Sequence, residues 1–450
     1  MSKQLNLIEG NILGALTRFS LPIIFALFLQ ALYGGIDLLI VGQFATTPEV
    51  SGVATGSMLM HTITMVITAL AMGITILVGR RIGERNPEEA GRTIGVGIYL
   101  FLLLGGIMSV VALCCSDWLS AIMCAPIEAF AQTSDYIAIC GGGSLFIVAY
   151  NVLGSIFRGL GDSRTPLITV AIACVLNIIG DMIFVAVFDM GAKGAALATV
   201  LSQALSVAIS LIYIRKIKLP FNFKLSYIKH DSAIISRLMR LGLPLALQEL
   251  LVGISFLIIQ VIVNEIGVVE SAGIGVAEKL CVFIMLLPSG YGQAMAAFVA
   301  QNYGAKRMDR ANRALFYGIV TSLCAGIVTG SLAFFYGDIL SSIFSSDMSV
   351  ILASHSYLKA YAVDCIFTAF LFCFLGYYNG CGATFFVMLQ GVIGAIGVRV
   401  PAAFLISQLP NVTLFQIGLA TPLSTVVQIV LCLIMFVHLR RKLKGNSIYG

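Results

Sequence analysis

Charge is what this 450-residue sequence has least of: Asp, Glu, Lys and Arg together make up 11% of it. Soluble globular chains carry about 25%, so most of this surface cannot face water. Histidine is also scarce. The four present (His61, His230, His355, His438) converge on no acid pair, which leaves a membrane-embedded enzyme without its nucleophile-activating or metal-holding partner. The eleven cysteines form no CxxC pair and mostly fall inside apolar runs, Cys140, Cys174, Cys281 and Cys373 among them. They read as free buried thiols, not metal ligands. The start, Met1 to Gly10, is polar and lacks the pattern of a cleavable leader, so the first apolar run is expected to act as the insertion signal.

Apolar residues are plentiful, at 59%. They form runs long enough to cross a bilayer, which takes about 20 residues. Twelve spans are predicted, near 16–43, 50–79, 93–114, 131–154, 166–188, 193–214, 240–264, 271–299, 314–336, 356–378, 385–407 and 415–438. Only helices and closed barrels satisfy the backbone in lipid, and these runs lack the period-two alternation of barrel strands. The fold class is therefore all-α integral membrane. Of the 27 Lys and Arg residues, 23 fall at the N-terminus, in even-numbered loops, in the central linker or in the tail. Positive charge stays on the cytoplasmic side, so both termini are expected there. The net charge of +6 follows from this bias and calls for no nucleic-acid partner.

Laid on itself with a shift of about 221 residues, the chain repeats. Leu21-Pro22 falls within a residue of Leu243-Pro244, Gly52 on Gly273, Gly83 on Gly304, Arg92 on Arg313, Asp117 on Asp338 and Tyr136 on Tyr357. The Arg158-Gly-Leu-Gly turn falls on Asn379-Gly-Cys-Gly. Each half has six spans, so the repeats enter from the same side. The expected domains are a six-helix lobe at 1–214, a basic cytoplasmic linker at 215–239, and a second lobe with a basic tail at 240–450. Two such bundles can rock about their interface and open a central cavity to each side in turn, by architectural analogy with known transporters.

An ionisable group at mid-bilayer costs at least about 2.5–3.5 kcal/mol, so its presence suggests work. Five acids lie in spans: Asp37, Asp181, Glu249, Glu278 and Asp364. Asn177 and Asp181 are four residues apart on the fifth span and share a face, as do Thr199 and Gln203 on the sixth. With Asp37 they offer only oxygen, which suits a hard cation or a proton shared between carboxylates. At a shift of 221, Asp37 falls on Ile258, Asn177 on Val398 and Asp181 on Ala402. The second half is thus expected to manage with apolar residues where the first has polar ones, which argues against mere helix glue. Pro22, with Gly34 and Gly35, could let the first span bend with the charge state of Asp37. In the second half, Glu249, Glu278, Lys279, Asp364 and Arg399 are read as neutralising one another. Glu249 or Asp364 on the cavity, attracting a cationic substrate, is the alternative. Tyr33 and Met285 sit among aromatic and Met residues suited to promiscuous apolar binding.

These features resemble the multidrug and toxic compound extrusion (MATE) family of secondary transporters over nearly the full length. The resemblance is carried by the two six-span repeats, Leu21-Pro22, Gly83-Glu-Arg-Asn-Pro-Glu-Glu-Ala and Arg158-Gly-Leu-Gly-Asp-Ser-Arg-Thr-Pro. More specifically, Asp37, Asn177, Asp181 and Thr199 look like the first-lobe cation site of the prokaryotic DinF-like branch, and Pro22 like its kinking proline. The resemblance implies a V-shaped transporter of the bacterial cytoplasmic membrane, acting as a monomer. It would export organic, cationic or amphipathic compounds for inward H+ or Na+, with no cofactor beyond that ion. Tyr33, Gln203, Glu249, Glu278, Met285 and Asp364 are candidate cavity residues. Asp37, Asn177, Asp181 and Thr199 would be metal ligands only if the ion is Na+. Glu249 and Asp364 stand about a turn from the acids of other branches, and Val276-Ala-Glu-Lys-Leu is charged where relatives are polar. A lipid-linked oligosaccharide flippase of the same superfamily is the alternative, but it would want a cationic central cavity for pyrophosphate, and the first half is read as having no buried Lys or Arg. A channel would instead pass current without substrate.

Overall fold

The computed structural model describes residues 6–216 and 223–446. Lys3 and Lys218 lie outside the described residues, as do the side chains of Arg215, Lys216, Arg440, Arg441, Lys442 and Lys444. The regular elements among the described residues are all helical. Six runs form the first half: α1 (Ile12–Phe44), α2 (Thr47–Gly83), α3 (Pro87–Ile122), α4 (Phe130–Gly142) with α5 (Ser144–Gly159), α6 (Arg164–Asp181) and α7 (Gly191–Lys216). The second half repeats the plan with α8 (Ser232–Asn264), α9 (Val268–Gly304), α10 (Met308–Ser342) and α11 (Met348–Gly380). It ends with α12 (Thr384–Val392) and α13 (Val400–Ser407), then α14 (Leu414–Gly418) and α15 (Ala420–Asn446). Eleven described runs are long and apolar enough to cross a membrane, and the bent pair of α4 and α5 brings the number to twelve.

The helices overrun the predicted spans because hydropathy sees only the lipid-facing stretch. At 33 to 37 residues, α1 and α2 are each about 50 Å long, against about 30 Å of hydrocarbon. Their ends are fixed by polar caps. Asn11 accepts from the Gly14 amide at 3.4 Å, and Glu49 reaches back to the Thr46 amide at 2.8 Å. Asn86, ahead of Pro87, accepts from the Glu89 amide at 3.2 Å. Asp347 accepts from the Ser349 amide at 2.8 Å. Each such cap contributes about 1 kcal/mol.

The repeat extends to backbone detail. Arg85 and Lys306, 221 residues apart, both take left-handed φ values (56° and 57°), and so do Gly161 and Gly382 (82° and 80°). In each pair the left-handed residue follows a helix end, where it turns the chain out of the helix. Cys115 in α3 and Tyr336 in α10 break their helices with nearly the same φ/ψ, −125°/20° and −123°/19°. The fourth span departs from the pattern. It was expected as one run, but the two helices meet at 53° around Gly143. The cause is Gly141-Gly142-Gly143, which has no side chains to hold a helix and lets Ala112, Leu113 and Val200 approach. The matching α11 is unbroken and carries Asp364 opposite Gly143.

The chain forms two compact units: Met1–Ala246 with Ala300–Met308, and Leu247–Val299 with Asp309–Gly450. In the first, α1 packs along α6, α6 along α7, and α2 against α4 and α5. Two apolar cores support these contacts. One is built on Ile74, Leu77, Val78, Phe157 and Leu238; the other on Val41, Val53, Tyr136 and Val185. Gly83 and Gly304 pack reciprocally within this unit. A Cβ on Gly83 would strike the Gln301 carbonyl oxygen, and one on Gly304 would strike that of Arg80. Nearby, Gln301 Nε2 donates to the Gly159 carbonyl at 2.9 Å, Asn302 Nδ2 to that of Leu7 at 3.1 Å and Arg307 to that of Ile8 at 2.8 Å. In the second unit, α11 packs on α14 and α15 around Ile259, Val263, Tyr357, Tyr361 and Ala403.

Candidate cation site

Three helices of the first unit bring the predicted polar set together. Asp37 comes from α1, Asn177 and Asp181 from the end of α6, and Thr199 and Gln203 from α7. Asp37 is 5% exposed, Asn177 1%, Asp181 0% and Gln203 8%, so their polar atoms must be satisfied inside the protein. Asn177 Nδ2 donates to Thr199 Oγ1 at 3.4 Å, which is long for a hydrogen bond. The carboxyl groups of Asp37 and Asp181 lie within hydrogen-bonding reach of each other. The Gln203 amide reaches the Tyr33 hydroxyl, which also feels the charge of Asp37. Tyr33 and Gln203, expected on the substrate cavity, therefore stand beside the carboxylates.

Five buried oxygens here have no hydrogen-bond donor: Asp37 Oδ1, both carboxylate oxygens of Asp181, Asn177 Oδ1 and Gln203 Oε1. Buried acceptors are nearly always satisfied, and each one left without a donor costs about 1–3 kcal/mol. Two facing carboxylates also repel. A proton between them, or a hard cation among the oxygens, relieves both penalties at once. The donor set is oxygen throughout, with Asp37, Asn177, Asp181 and Thr199 able to ligate Na+. Among the described residues, no group of three or more His, Cys, Asp or Glu side chains could hold a metal ion. Any ion here would rely on amide and hydroxyl oxygens as well.

The helices explain why these side chains meet. α6 gives way after Asp181 to a π-helical turn, Met182–Val187, and such turns widen a helix at functional positions. Gly34 and Gly35, one turn before Asp37, would have no neighbour within 4 Å of an added Cβ, so packing does not require glycine there. Pro22 lies inside α1, which continues unbroken past it.

The second-half acids do not form one neutralising group. Glu249 is exposed on α8, Glu278 is half-buried and Lys279 exposed. The Lys279 ammonium lies 5.8 Å from the Phe344 ring centroid. Only Asp364 and Arg399 are buried, at 2% and 6%. Met285 lines a cavity with Pro288, Ser322 and Thr368 of about 10 Å³, room for a water molecule and no organic substrate.

Burial patterns also correct the register by one residue. Pro22, Ile23, Asp37 and Val41 match Pro244, Leu245, Ile259 and Val263 at a shift of 222. Along α6 the shift is 221 as far as Cys174, which falls on Ala395. A π-helical turn at Ile393–Arg399 then adds one residue. Beyond it Asn177 falls on Arg399 and Asp181 on Ala403, each buried like its partner. Thr199 and Gln203 fall on Thr421 and Thr425. The second half therefore lacks both carboxylates but is not apolar: an arginine stands where the first half has Asn177. The extra turn has no hydropathy signal, so only the alternation of buried positions along the two helices could have revealed it.

Comparison with known proteins also finds two repeats. The family model MatE matches residues 22–183 and again 244–405, which sets Pro22 on Pro244 and Ile183 on Leu405. The Probable multidrug resistance protein YpnP of Bacillus subtilis is 27% identical over 400 residues, covering 89% of each chain. The Multidrug export protein MepA of Staphylococcus aureus is 24% identical over 421 residues, covering 90% of this chain and 89% of its own. Among solved structures, the outward-facing conformation of a multidrug resistance MATE family transporter of the MOP superfamily has a TM-score of 0.91 at 21% identity. It covers 99% of both chains. A MOP superfamily transporter from Pyrococcus furiosus gives the same TM-score, identity and coverage. With two matched repeats covering most of its length and the helical fold it shares with those structures, the chain is a member of the MATE transporter family and not an enzyme.

Proposed function

We propose that this protein exports organic, cationic or amphipathic drug-like compounds in exchange for inward H+ or Na+, by alternating access. The carrying observation is the cluster of five donor-less buried oxygens around Asp37 and Asp181. Relatives named for multidrug export and resistance support the class of substrate. Both halves lie in one chain, so a monomer suffices. Multi-pass placement in the bacterial cytoplasmic membrane with both termini cytoplasmic fits the Lys and Arg distribution.

Without a cation, the site pays for facing carboxylates and unmatched oxygens. Binding H+ or Na+ removes that cost, shifts the Asn177–Thr199 contact and alters how α1 lies against α6 and α7. A ligand drives a conformational change only through a difference in affinity between two states, and here that difference is the donor-less cluster. Substrate leaves outward from the cation-loaded form, and the cation is released inward. The lipid-linked oligosaccharide flippase is not favoured, because acids and acceptor oxygens line this buried polar cluster.

Efflux of a fluorescent organic cation from proteoliposomes, with pH and sodium gradients imposed independently, tests the reading. The gradient that drives efflux identifies the coupling ion. Asp37→Asn is expected to abolish gradient-driven efflux while leaving the protein folded. Undiminished gradient dependence in that variant would overturn the mechanism.

A further inference from the structure

In the second half, the residue matching Asn177 is Arg399, and its surroundings are those of a bound cation. Arg399 is 6% exposed. Its Nη1 donates to Ser255 Oγ at 3.2 Å, and its central carbon lies 4.4 Å from the Phe256 ring centroid. Ser255 and Phe256 are the repeat partners of Tyr33 and Gly34. Asp364 on α11 and the phenols of Tyr361 and Tyr357 bear on the guanidinium electrostatically, though among the described residues no ion pair at 4 Å or less joins Asp364 to Arg399. The Thr425 hydroxyl, the counterpart of Gln203, stands beside the same carboxylate. Asp364 Oδ1, Thr421 Oγ1 and Arg399 Nε are buried and have no hydrogen-bond partner.

The halves therefore place a buried polar pocket at the same position in the repeat, but supply its charge differently. In the first half two acids face each other, and the proposed antiport supplies their counter-charge from a mobile ion. In the second, one acid comes from α11 and the cation is attached to the chain. The attachment depends on the π-helical turn at Ile393–Arg399, whose extra residue turns Arg399 inward. Both charges are buried, so removing one alone leaves the other uncompensated at a cost of several kcal/mol, and the aromatic face beneath the guanidinium stabilises it further.

We propose that Arg399 is a tethered cation: its guanidinium permanently occupies a second, pseudosymmetric cation site, so that the buried charge of Asp364 is balanced within the chain and only the first half exchanges an ion. The site's ligand class is a planar, monovalent cation of guanidinium type, and removing the tether makes it available to the free ion. The inference goes beyond the antiport reading and does not depend on which ion the first half uses.

The test is Arg399→Ala, purified in detergent and melted with millimolar guanidinium chloride, sodium chloride or urea. Arg399→Ala is expected to melt several degrees below the parent and to recover with guanidinium in a saturable manner, as a ligand of the native state requires. Urea, of the same shape but uncharged, should give no recovery, and the parent should not respond to guanidinium at these concentrations. Adding Asp364→Asn to Arg399→Ala should remove the guanidinium response and raise the melting temperature above that of Arg399→Ala alone. If the single variant cannot be purified, the double variant still decides. A double variant that is also unrecoverable, or no more stable, would show that the two charges are not a pair and overturn the proposal. So would a folded Arg399→Ala that ignores guanidinium. Asp37→Asn in the Arg399→Ala background should keep the guanidinium response, and its loss would count against a separate second site. Gradient-independent efflux in Asp37→Asn alone bears on the antiport reading and not on this one.

Discussion

At the residue scale, the first-half site is a set of acceptors short of donors, and each member should fail differently. Asp181 is fully buried with neither oxygen hydrogen-bonded to a donor, so Asp181→Asn replaces one acceptor by a donor and removes the charge. Gradient-driven efflux is expected to fall at least about tenfold, equivalent to 1.4 kcal/mol, with little loss of folded yield. Asn177→Ala removes one weak hydrogen bond to Thr199, worth about 1 kcal/mol. It should raise the cation concentration for half-maximal efflux about fivefold and leave the maximal rate nearly unchanged. Asp37 and Asp181 were legible in the sequence because a carboxylate inside an apolar run is conspicuous. Glu249 was equally conspicuous and proved exposed, since a sequence does not say which face of α8 a residue occupies.

At the element scale, helix geometry decides which residues reach a site. Gly34 and Gly35 have open space at their Cβ positions, so alanine fits at both and should stabilise α1 by about 0.5–1 kcal/mol per site. If α1 bends near Asp37 during transport, Gly34→Ala with Gly35→Ala should raise the melting temperature and slow efflux together. Equal efflux rates in parent and variant would remove these glycines from the mechanism. In the second half, deletion of Ile396 takes the extra residue out of the π-helical turn. Arg399 would then rotate by about 100° and lose both Ser255 and the Phe256 face. Folded yield should fall sharply, and Arg399→Met combined with the deletion should recover part of it. Spans, repeats and caps were readable from hydropathy and residue type. The bend at Gly143 was foreshadowed by three consecutive glycines, but its angle depends on packing against Ala112 and Val200.

At the scale of the whole molecule, the repeat was visible through its glycines, and the structure shows what two of them do. Gly83 and Gly304 each leave room for the other helix's backbone. Gly83→Val or Gly304→Val should therefore abolish this close packing, with similar losses in folded yield. The double variant should be less than additive, because both changes break one contact. If the Lys and Arg bias sets the orientation, reporter fusions at the two ends should give the same cytoplasmic signal.

The π-helical turn at Ile393–Arg399 has a consequence for how duplicated proteins diverge. Point substitutions change one side chain at a time, and each intermediate has to fold. A single inserted residue changes the phase of everything that follows it within the helix, replacing the whole inward-facing row in one event. Val398 yields its place to Arg399, and Ala402 to Ala403, without altering the residues themselves. Two copies of one gene can thus come to hold different charges at matched positions through a change in length alone, and comparison at constant offset will mistake that rephasing for loss.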